Sequence, residues 1–255
     1  MSTNLFSLET YYQCLKTSRL GRPCLYLDTV SSTIDVIPRE KPNTLILAKE
    51  QTRGRGQRTN VWQSLVGCAM GSVRLQCAKD SLLAKRVCFL QHILALSAAR
   101  TLERIDPYRL GRDQIGLKWP NDIIYKKDKL KIGGVLVNTQ DLGELYDITL
   151  SFGLNVDNRE PTTCVNEIIK PTGKRVTIDS VVAGIMNNLE EYTDELNEDR
   201  FEQIKVDYER RCMQIGKIVL DEKAGTVKVT GVNEDGFLIG ECETSRKPRT
   251  VMRII

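Results

Sequence analysis

The sequence has 255 residues, enough for one large domain, or one domain and a small appendage, to bury most of its core. Apolar residues make up 41% and charged residues 27%, ordinary for a globular chain, and a net charge of +4 falls well short of a dedicated nucleic-acid binder. No stretch approaches the roughly 20 apolar residues of a membrane span, and eight scattered cysteines without a C-x-x-C pair support neither a zinc site nor a disulfide framework.

The first residues, MSTNLFSLETYYQCL, lack the basic-then-apolar order of a secretory signal. Glu9 comes early and the first arginine is Arg19, which also speaks against a mitochondrial presequence. Reduced thiols in an intracellular, cytoplasmic protein are the expectation, with a mitochondrial location left open. Residues 1–23 are polar and read as peripheral. Cys24 to Leu27 reads as a short strand that ends in Ser31-Ser32-Thr33, residues that either cap a helix from Thr33 or present hydroxyls to a ligand.

Leu45 to Ala48 reads as a buried strand feeding a loop of three arginines (Arg53, Arg55, Arg58) and two glycines (Gly54, Gly56), which closes on Trp62. Glycines let backbone approach a ligand and guanidiniums fork onto carboxylates and phosphates, so this loop suits an anion. Val66 to Leu75 is strand-like. Leu83 to Ile105 is predicted as one helix, because Val87, Leu90, Leu94, Ala98, Leu102 and Ile105 recur at steps of three and four. His92, the only histidine, lies in it and would be needed for any Ser-His-Asp arrangement; a core role is the favoured reading.

Gly116 to Tyr125 predicts a strand, a Pro-Asn-Asp turn and a second strand. Lys126 to Lys129 then makes a hairpin tip before the strand Lys131 to Asn138, and Ile148 to Val156 is a further strand. Helices are expected over Asp179–Leu196, on the stripe Val182, Ile185, Leu189, Tyr192 and Leu196, and over Arg200–Arg211. From about Gln214 the character changes to short strands, 217–220, 226–232, 237–241 and 250–255, separated by turns such as Ala224-Gly225 and Asn233-Glu234-Asp235-Gly236.

Polar groups gather at strand ends, where sheet proteins build a shared pocket. The inventory is cationic (Arg53, Arg55, Arg58, Lys118, Lys131) and rich in glycine (Gly54, Gly56, Gly133, Gly134). One carboxylate, Asp122, suits a metal, and Trp62 and Trp119 supply flat walls. Such a set holds a nucleotide and an acid together, and lacking a nucleophile it would act by positioning and charge neutralisation. Taken singly, each signal has a plainer reading: a basic loop, a packed turn, a close-packed strand, a solvated lysine.

Their order is more specific. Gln51, Gly54-Arg55-Gly56 and Trp62, then Lys118-Trp119-Pro120-Asn121-Asp122, then about ten residues on Lys131-Ile132-Gly133-Gly134-Val135-Leu136, resemble the biotin–protein ligase family, its holocarboxylase synthetase branch most of all. Phe152-Gly153-Leu154-Asn155-Val156 followed by Pro161-Thr162 fits the next signature. The resemblance covers roughly Leu25 to Met213. It implies an α+β fold: a mixed β-sheet with helices, class II synthetase-like, as a catalytic domain over 1–213, then a small SH3-like β-barrel over 214–255.

The resemblance also implies activation of biotin by MgATP to biotinyl-5′-AMP, with transfer to one lysine of the biotin carrier domains of biotin-dependent carboxylases. ATP, biotin and Mg²⁺ are the small-molecule partners. Ser32, Thr33 and Gln51 would bind the biotin ureido ring, with Gly54, Gly56, Gly133 and Gly134 lining the biotin site. Lys131 and Arg55 would face the carboxylate and α-phosphate. Arg53, Gln57, Arg58, Trp62, Lys118, Asn121, Gly153 and Asn155 would lie along the ATP or adenylate. Asp122 would serve Mg²⁺ and accept a proton from the incoming lysine.

Three positions depart from the family pattern. Thr59 stands for a glycine and would stiffen the loop, Ser151 stands for a glycine and would narrow the adenine side, and Ile34 stands where bacterial members often have asparagine. About 25 residues precede the first strand of the catalytic domain, too few for a winged helix, so a monofunctional ligase with no DNA and no membrane partner is expected, as monomer or homodimer. Two rivals stay open. One is a lipoate–protein ligase; the other is an RNA- or DNA-binding module, for which 6% aromatic residues offer few stacking platforms.

Overall fold

A computed structural model describes residues 6–158, 160–223 and 225–254. Seven strands form one sheet: β1 (Cys24–Val30), β2 (Leu45–Gln51), β3 (Cys68–Ala78), β4 (Ile115–Lys118), β5 (Asp122–Tyr125), β6 (Leu130–Asp141) and β7 (Leu145–Asn155). Their spatial order is β1-β2-β3-β7-β6-β5-β4. Only β1 and β2 pair in parallel, through the short helix α2 (Thr33–Val36); the other pairs are antiparallel. The sheet is therefore mixed, as expected. Leu45, Ile46, Leu47 and Ala48 are all buried, which explains why this strand is apolar on both faces.

Gly71 in β3 sits where strand and core meet most tightly. A Cβ there would lie 2.7 Å from Leu47 Cδ2 and 2.9 Å from Phe152 Cζ. The Phe152 ring, on β7, occupies the volume that a side chain at 71 would need.

Two long helices cover the sheet, α4 (Leu90–Ile105) and α6 (Ile178–Asn197), and they pack on each other. Leu90, Leu94, Ala98 and Leu102 are buried, as are Val182, Ile185, Leu189, Tyr192 and Leu196, so both apolar stripes face inward. The single helix expected over 83–105 is instead broken. A one-turn helix, α3 (Leu82–Lys85), capped by Ser81 Oγ, gives way at Arg86 (φ −117°, ψ 20°) to a 3-10 turn at Val87–Phe89 before α4 begins. Periodicity missed the break because Val87 still packs against the core. At the break the Arg86 guanidinium lies 4.3 Å from the Phe201 ring centroid and pairs with Glu234.

Residues 6–23 are not peripheral. A helix, α1 (Leu8–Cys14), packs on α6, and Phe6, Tyr11, Leu15 and Leu20 are buried. The Glu190 carboxylate on α6 accepts the backbone N–H groups of Ser18, Arg19 and Leu20 at 2.6–2.9 Å, so this polar segment is tied down by its main chain. The expected residues 1–5 lie outside the described ones. A short helix the sequence did not reveal, α5 (Val165–Ile169), precedes α6, and α7 (Phe201–Arg211) follows it as expected.

The C-terminal stretch forms a second, antiparallel sheet of β8 (Ile218–Asp221), β9 (Gly225–Val232), β10 (Leu238–Cys242) and β11 (Pro248–Val251), in the order β11-β10-β9-β8. A bridge between Asp221 and Ile254 brings the far side of β8 to the chain beyond β11. The Asp221 carboxylate holds it by accepting the N–H groups of Met252 and Arg253 at 2.8 Å. The last strand begins two residues before the expected 250 and stops at Val251, while Ile255 and Ala224 of the expected turn lie outside the described residues. No helix among the described residues is long and apolar enough to cross a membrane.

Candidate functional site

A cavity of about 830 Å³ opens at the strand ends, bounded by the arginine loop, α2, β6, β7, the turn between β4 and β5, and the C-terminal sheet. Its two ends differ in chemistry. One carries charge and the other carries neutral hydroxyls and an amide.

At the charged end, Lys131 Nζ lies 2.5 Å from Asp122 Oδ1. These residues come from β6 and β5, whose register shifts between Ile123 and Ile124: Ile123 faces Gly133 and Ile124 faces Lys131. Ile132 is the extra residue of this bulge, which bends β6 beside Lys131 and re-aims its amine. The Lys131 ammonium is also 5.8 Å from the Trp62 ring centroid. Trp62 lies flat on β7 because residue 153 is glycine; a Cβ there would fall 2.5 Å from the indole. Lys118, paired across from Asp122, adds positive charge here, and Arg58 also lines the cavity.

Arg55 is held by Asp35 of α2, 2.5 Å from its guanidinium, and Ser31 Oγ donates to the same carboxylate at 3.0 Å. The loop that carries it is a narrow hairpin. Gly56 N–H donates to Asn60 O at 2.8 Å and Trp62 N–H to Gly54 O at 3.0 Å, with Arg58 at its tip in the left-handed region (φ 59°). Arg55 is 56% exposed, so its ion pair with Asp35 is readily exchanged for a ligand.

At the neutral end, Gln51 Oε1 accepts from Thr33 N–H at 2.8 Å, Ser32 Oγ at 3.2 Å and Thr33 Oγ1 at 3.3 Å. The Thr33 hydroxyl is 2.8 Å from Ser72 Oγ, and Ser72 Oγ is 2.8 Å from Ser151 Oγ. Ser151, expected to crowd the adenine side, therefore joins the hydroxyl end. Its hydroxyl faces Ser72 because the two residues are paired directly across β7 and β3.

The wall opposite the arginine loop is the turn Trp119–Asn121. Gln214 Oε1 accepts the Trp119 N–H at 3.0 Å, and Gln214 Nε2 donates to the Trp119 carbonyl at 3.2 Å. The Trp119 indole N–H donates to Gly236 O at 2.9 Å, and His92 Nε2 donates to the same carbonyl at 2.8 Å. A carbonyl only accepts, so Nε2 carries the proton. Burial, partly opposed by this hydrogen bond, pushes the His92 pKa down to about 4. His92 is a bracing residue of the core, in line with the favoured reading.

Among the expected site residues, Ser32, Thr33, Gln51, Arg55, Gly56, Gln57, Arg58, Trp62, Lys118, Asn121, Asp122, Lys131, Gly134 and Gly153 meet on this cavity. Four lie off its wall. Arg53 is exposed and is fixed through its backbone to Ser31 O. Gly54 lies against the Trp62 carbonyl and Gly133 against Leu154 and Gly153. Asn155 donates to Thr162 Oγ1 and the Thr163 carbonyl and accepts from Asn158, so its amide braces the following loop. Asn121 lines the cavity while its side-chain nitrogen donates to Val135 O at 3.1 Å.

Sequence reasoning missed Asp35, Ser72, Gln214 and Gly236. Asp35 and Ser72 carried a faint signal, each a polar residue inside an apolar stretch. Gln214 and Gly236 carried none, since only the folded chain brings them to Trp119. Among the described residues no cluster of three or more His, Cys, Asp or Glu could hold a metal by itself. A lone carboxylate at Asp122 fits a Mg²⁺ that arrives on nucleotide phosphates and keeps most of its waters.

The sequence model of the Biotin/lipoate A/B protein ligase family matches residues 28–155. A biotin–protein ligase of Homo sapiens is 32% identical over 93% of this chain and 34% of its own length. Biotin–protein ligase 2 of Arabidopsis thaliana is 27% identical over 92% of this chain and 74% of its own. This chain thus spans about a third of the length of the human relative. Among solved structures, a biotin protein ligase from Aquifex aeolicus in complex with biotin and ATP matches with a TM-score of 0.71 at 25% identity, covering 90% of this chain and 95% of that one.

Proposed function

The chain belongs to the biotin/lipoate A/B protein ligase family, and on that premise we propose that it is a biotin–protein ligase: it activates biotin with MgATP and passes the biotinyl group to a lysine of a carrier domain. The observation that carries the reading is the polarity of one cavity, with Lys131 and Asp122 at one end and Ser32, Thr33 and Gln51 at the other, and with Arg55 held on α2 by Asp35 at its rim.

An oxygen of the biotin carboxylate attacks the α-phosphorus of ATP. The new O–P bond forms as the bond to the bridging oxygen breaks, and pyrophosphate leaves. Two anions must meet, which in a site shielded from water requires fixed positive charge. Lys131 supplies it, exchanging Asp122 for substrate oxygens, and Arg55 leaves Asp35 to join it. Mg²⁺ would come with ATP as part of the substrate and neutralise phosphate charge, and Asp122, once freed from Lys131, is the residue that would hold it.

In the second step the carrier lysine, as a neutral amine, attacks the acyl carbon. The amide bond forms, AMP departs, and Asp122 accepts the proton. Trp62 on Gly153, with Gln57, Arg58, Lys118 and Asn121, walls the adenylate. In the same reading, residues up to 213 are the catalytic domain and 214–255 an SH3-like domain that braces it. The acceptors are carrier domains of biotin-dependent carboxylases, and the cytoplasm is the proposed location.

Exchange of labelled pyrophosphate into ATP, run with biotin, lipoate and octanoate, tests the reading. Biotin alone should support exchange, and Lys131→Ala should lower it about 10²–10³-fold, the scale for removing one fixed charge donor. Exchange driven by lipoate in preference to biotin would reassign the acid, and no exchange with any acid would remove the enzyme reading.

A further inference from the structure

We propose that Ser151 is a ligand-contacting, specificity-determining residue of this chain, its hydroxyl accepting a hydrogen bond from an N–H of the biotin urea. The inference rests on the reading above that the acid is biotin, and it concerns a serine at a position expected from the resemblance to be often glycine.

The argument begins with a proton count. Thr33, Ser72 and Ser151 form a row of three hydroxyls, 2.8 Å apart at each step, and each carries one proton. Ser72 is fully buried between the other two, while Thr33 and Ser151 reach the cavity. The row ends on Gln51 Oε1, an acceptor only. That oxygen has two lone pairs, yet three donors converge on it: Thr33 N–H, Thr33 Oγ1 and Ser32 Oγ. One of the three is in surplus.

Two proton orders relieve it. Either Thr33 donates to Ser72 and Ser72 to Ser151 while Ser32 fills Gln51, or the row runs the other way. A urea, whose carbonyl needs the Ser32 proton, selects the second. There Ser151 donates to Ser72, Ser72 to Thr33, and Thr33 to Gln51, whose two lone pairs are then filled by the Thr33 amide and hydroxyl. This order leaves the Ser151 oxygen with a lone pair toward the cavity. It also releases the Ser32 hydroxyl, which can point its proton at a ligand. The neutral end thus presents one donor and one acceptor to a urea.

Biotin carries a matching head. Its cyclic urea has a carbonyl that accepts and two N–H groups that donate, and its carboxylate lies at the far end of a flexible chain. A neutral urea belongs at the uncharged end of the cavity and the carboxylate at the Lys131 end. Ser32 then serves the carbonyl and Ser151 one N–H. Ser151 and Gly153 point to the same face of β7, about 7 Å apart along the strand, so Ser151 sits one step from the ledge under Trp62. A dithiolane ring has no N–H and would leave the Ser151 lone pair unmet. A site built around such a bond rejects ligands that lack the partner group.

The test uses the full chain, with calorimetric titration of biotin and of desthiobiotin, which keeps the urea and lacks the sulfur ring. Ser151→Ala should raise the Kd of both by about tenfold, the effect of one good hydrogen bond, and raise the KM for biotin in pyrophosphate exchange by a similar factor. Equal Kd values in parent and Ser151→Ala would overturn the proposal, as would a loss confined to biotin, since that would point to packing against the sulfur ring. If Ser151→Ala does not fold, Ser72→Ala breaks the row from its buried side and should also weaken both ligands; no weakening overturns the proposal. A parent chain that binds neither ligand would instead retire the biotin reading, and this inference with it.

Discussion

The two walls of the cavity are built on opposite plans. The Trp119–Asn121 turn is fixed through its main chain by Gln214 and through its indole by Gly236, and Asn121 exchanges backbone and side-chain hydrogen bonds with Val135. The arginine loop is mostly exposed, with a few hydrogen bonds of its own and one solvent-facing ion pair to Asp35. A wall with buried, satisfied polar groups keeps its shape before substrate arrives, whereas one with few buried contacts opens at low free-energy cost. The braced wall leads directly into Asp122, whose position must be set in advance. The loop carries Arg55, whose charge is needed only once anions are present.

Acid should separate the walls most strongly. His92 titrates near 6.5 when unfolded and is held down to about 4 by burial in the fold. Between these values the unfolded chain binds more protons, so stability falls as pH drops through that window, by about 3 kcal/mol in all. Urea denaturation between pH 7 and 4 should show this loss, and His92→Gln, which keeps a donor for the Gly236 carbonyl, should reduce it. A mutant whose pH profile parallels that of the parent would mean that the burial of His92 does not set this acid sensitivity.

Removing the clamp itself ranks next. Gln214→Ala leaves the buried N–H and carbonyl of Trp119 without partners, and should cost about 2 kcal/mol of stability. Because the displaced turn carries Asp122, kcat of exchange should fall as well. An unchanged kcat in a destabilised variant would show the clamp to be structural only.

On the loop side the effect should be small. Asp35→Asn breaks an exposed pair worth under about 1 kcal/mol, so the denaturation midpoint should barely move. Tryptic cleavage between Arg53 and Arg58 should quicken in the ligand-free variant, and biotin with ATP should slow it in both proteins. Cleavage that ignores the ligands would place the loop outside the reaction.

The contrast between the walls also explains what the sequence disclosed. Contiguous chemistry was legible: KWPND, KIGG and the arginine run each put their groups on one strand end, and fourteen of the expected residues meet on the cavity. Both long amphipathic stripes were legible too, because burial repeats with the helix period. What stayed hidden depends on residues far apart in the chain. Gln214 meets Trp119 across 95 positions, and Ser72 meets Ser151 across 79. The N-terminal segment misled because its hold on α6 runs through main-chain N–H groups, which every sequence possesses, and Asn155 looked like a ligand group because a side-chain amide serves a loop as well as a nucleotide.

The tight fit at Gly71 constrains how this protein can drift. With Phe152 in place, any larger residue at 71 meets a ring on one side and Leu47 on the other. Shrinking Phe152 relieves one side of that contact, but Leu47 Cδ2 is nearer still and the Ile46 carbonyl lies at 3.1 Å, so a side chain at 71 also needs Leu47 to give. The three positions are therefore epistatic: descendants that carry a side chain at 71 should show compensating changes at both Leu47 and Phe152. The same coupling governs anyone redesigning this floor, since Phe152 lies between Ser151 and Gly153 on β7 and any shift of its backbone reaches both ends of the cavity.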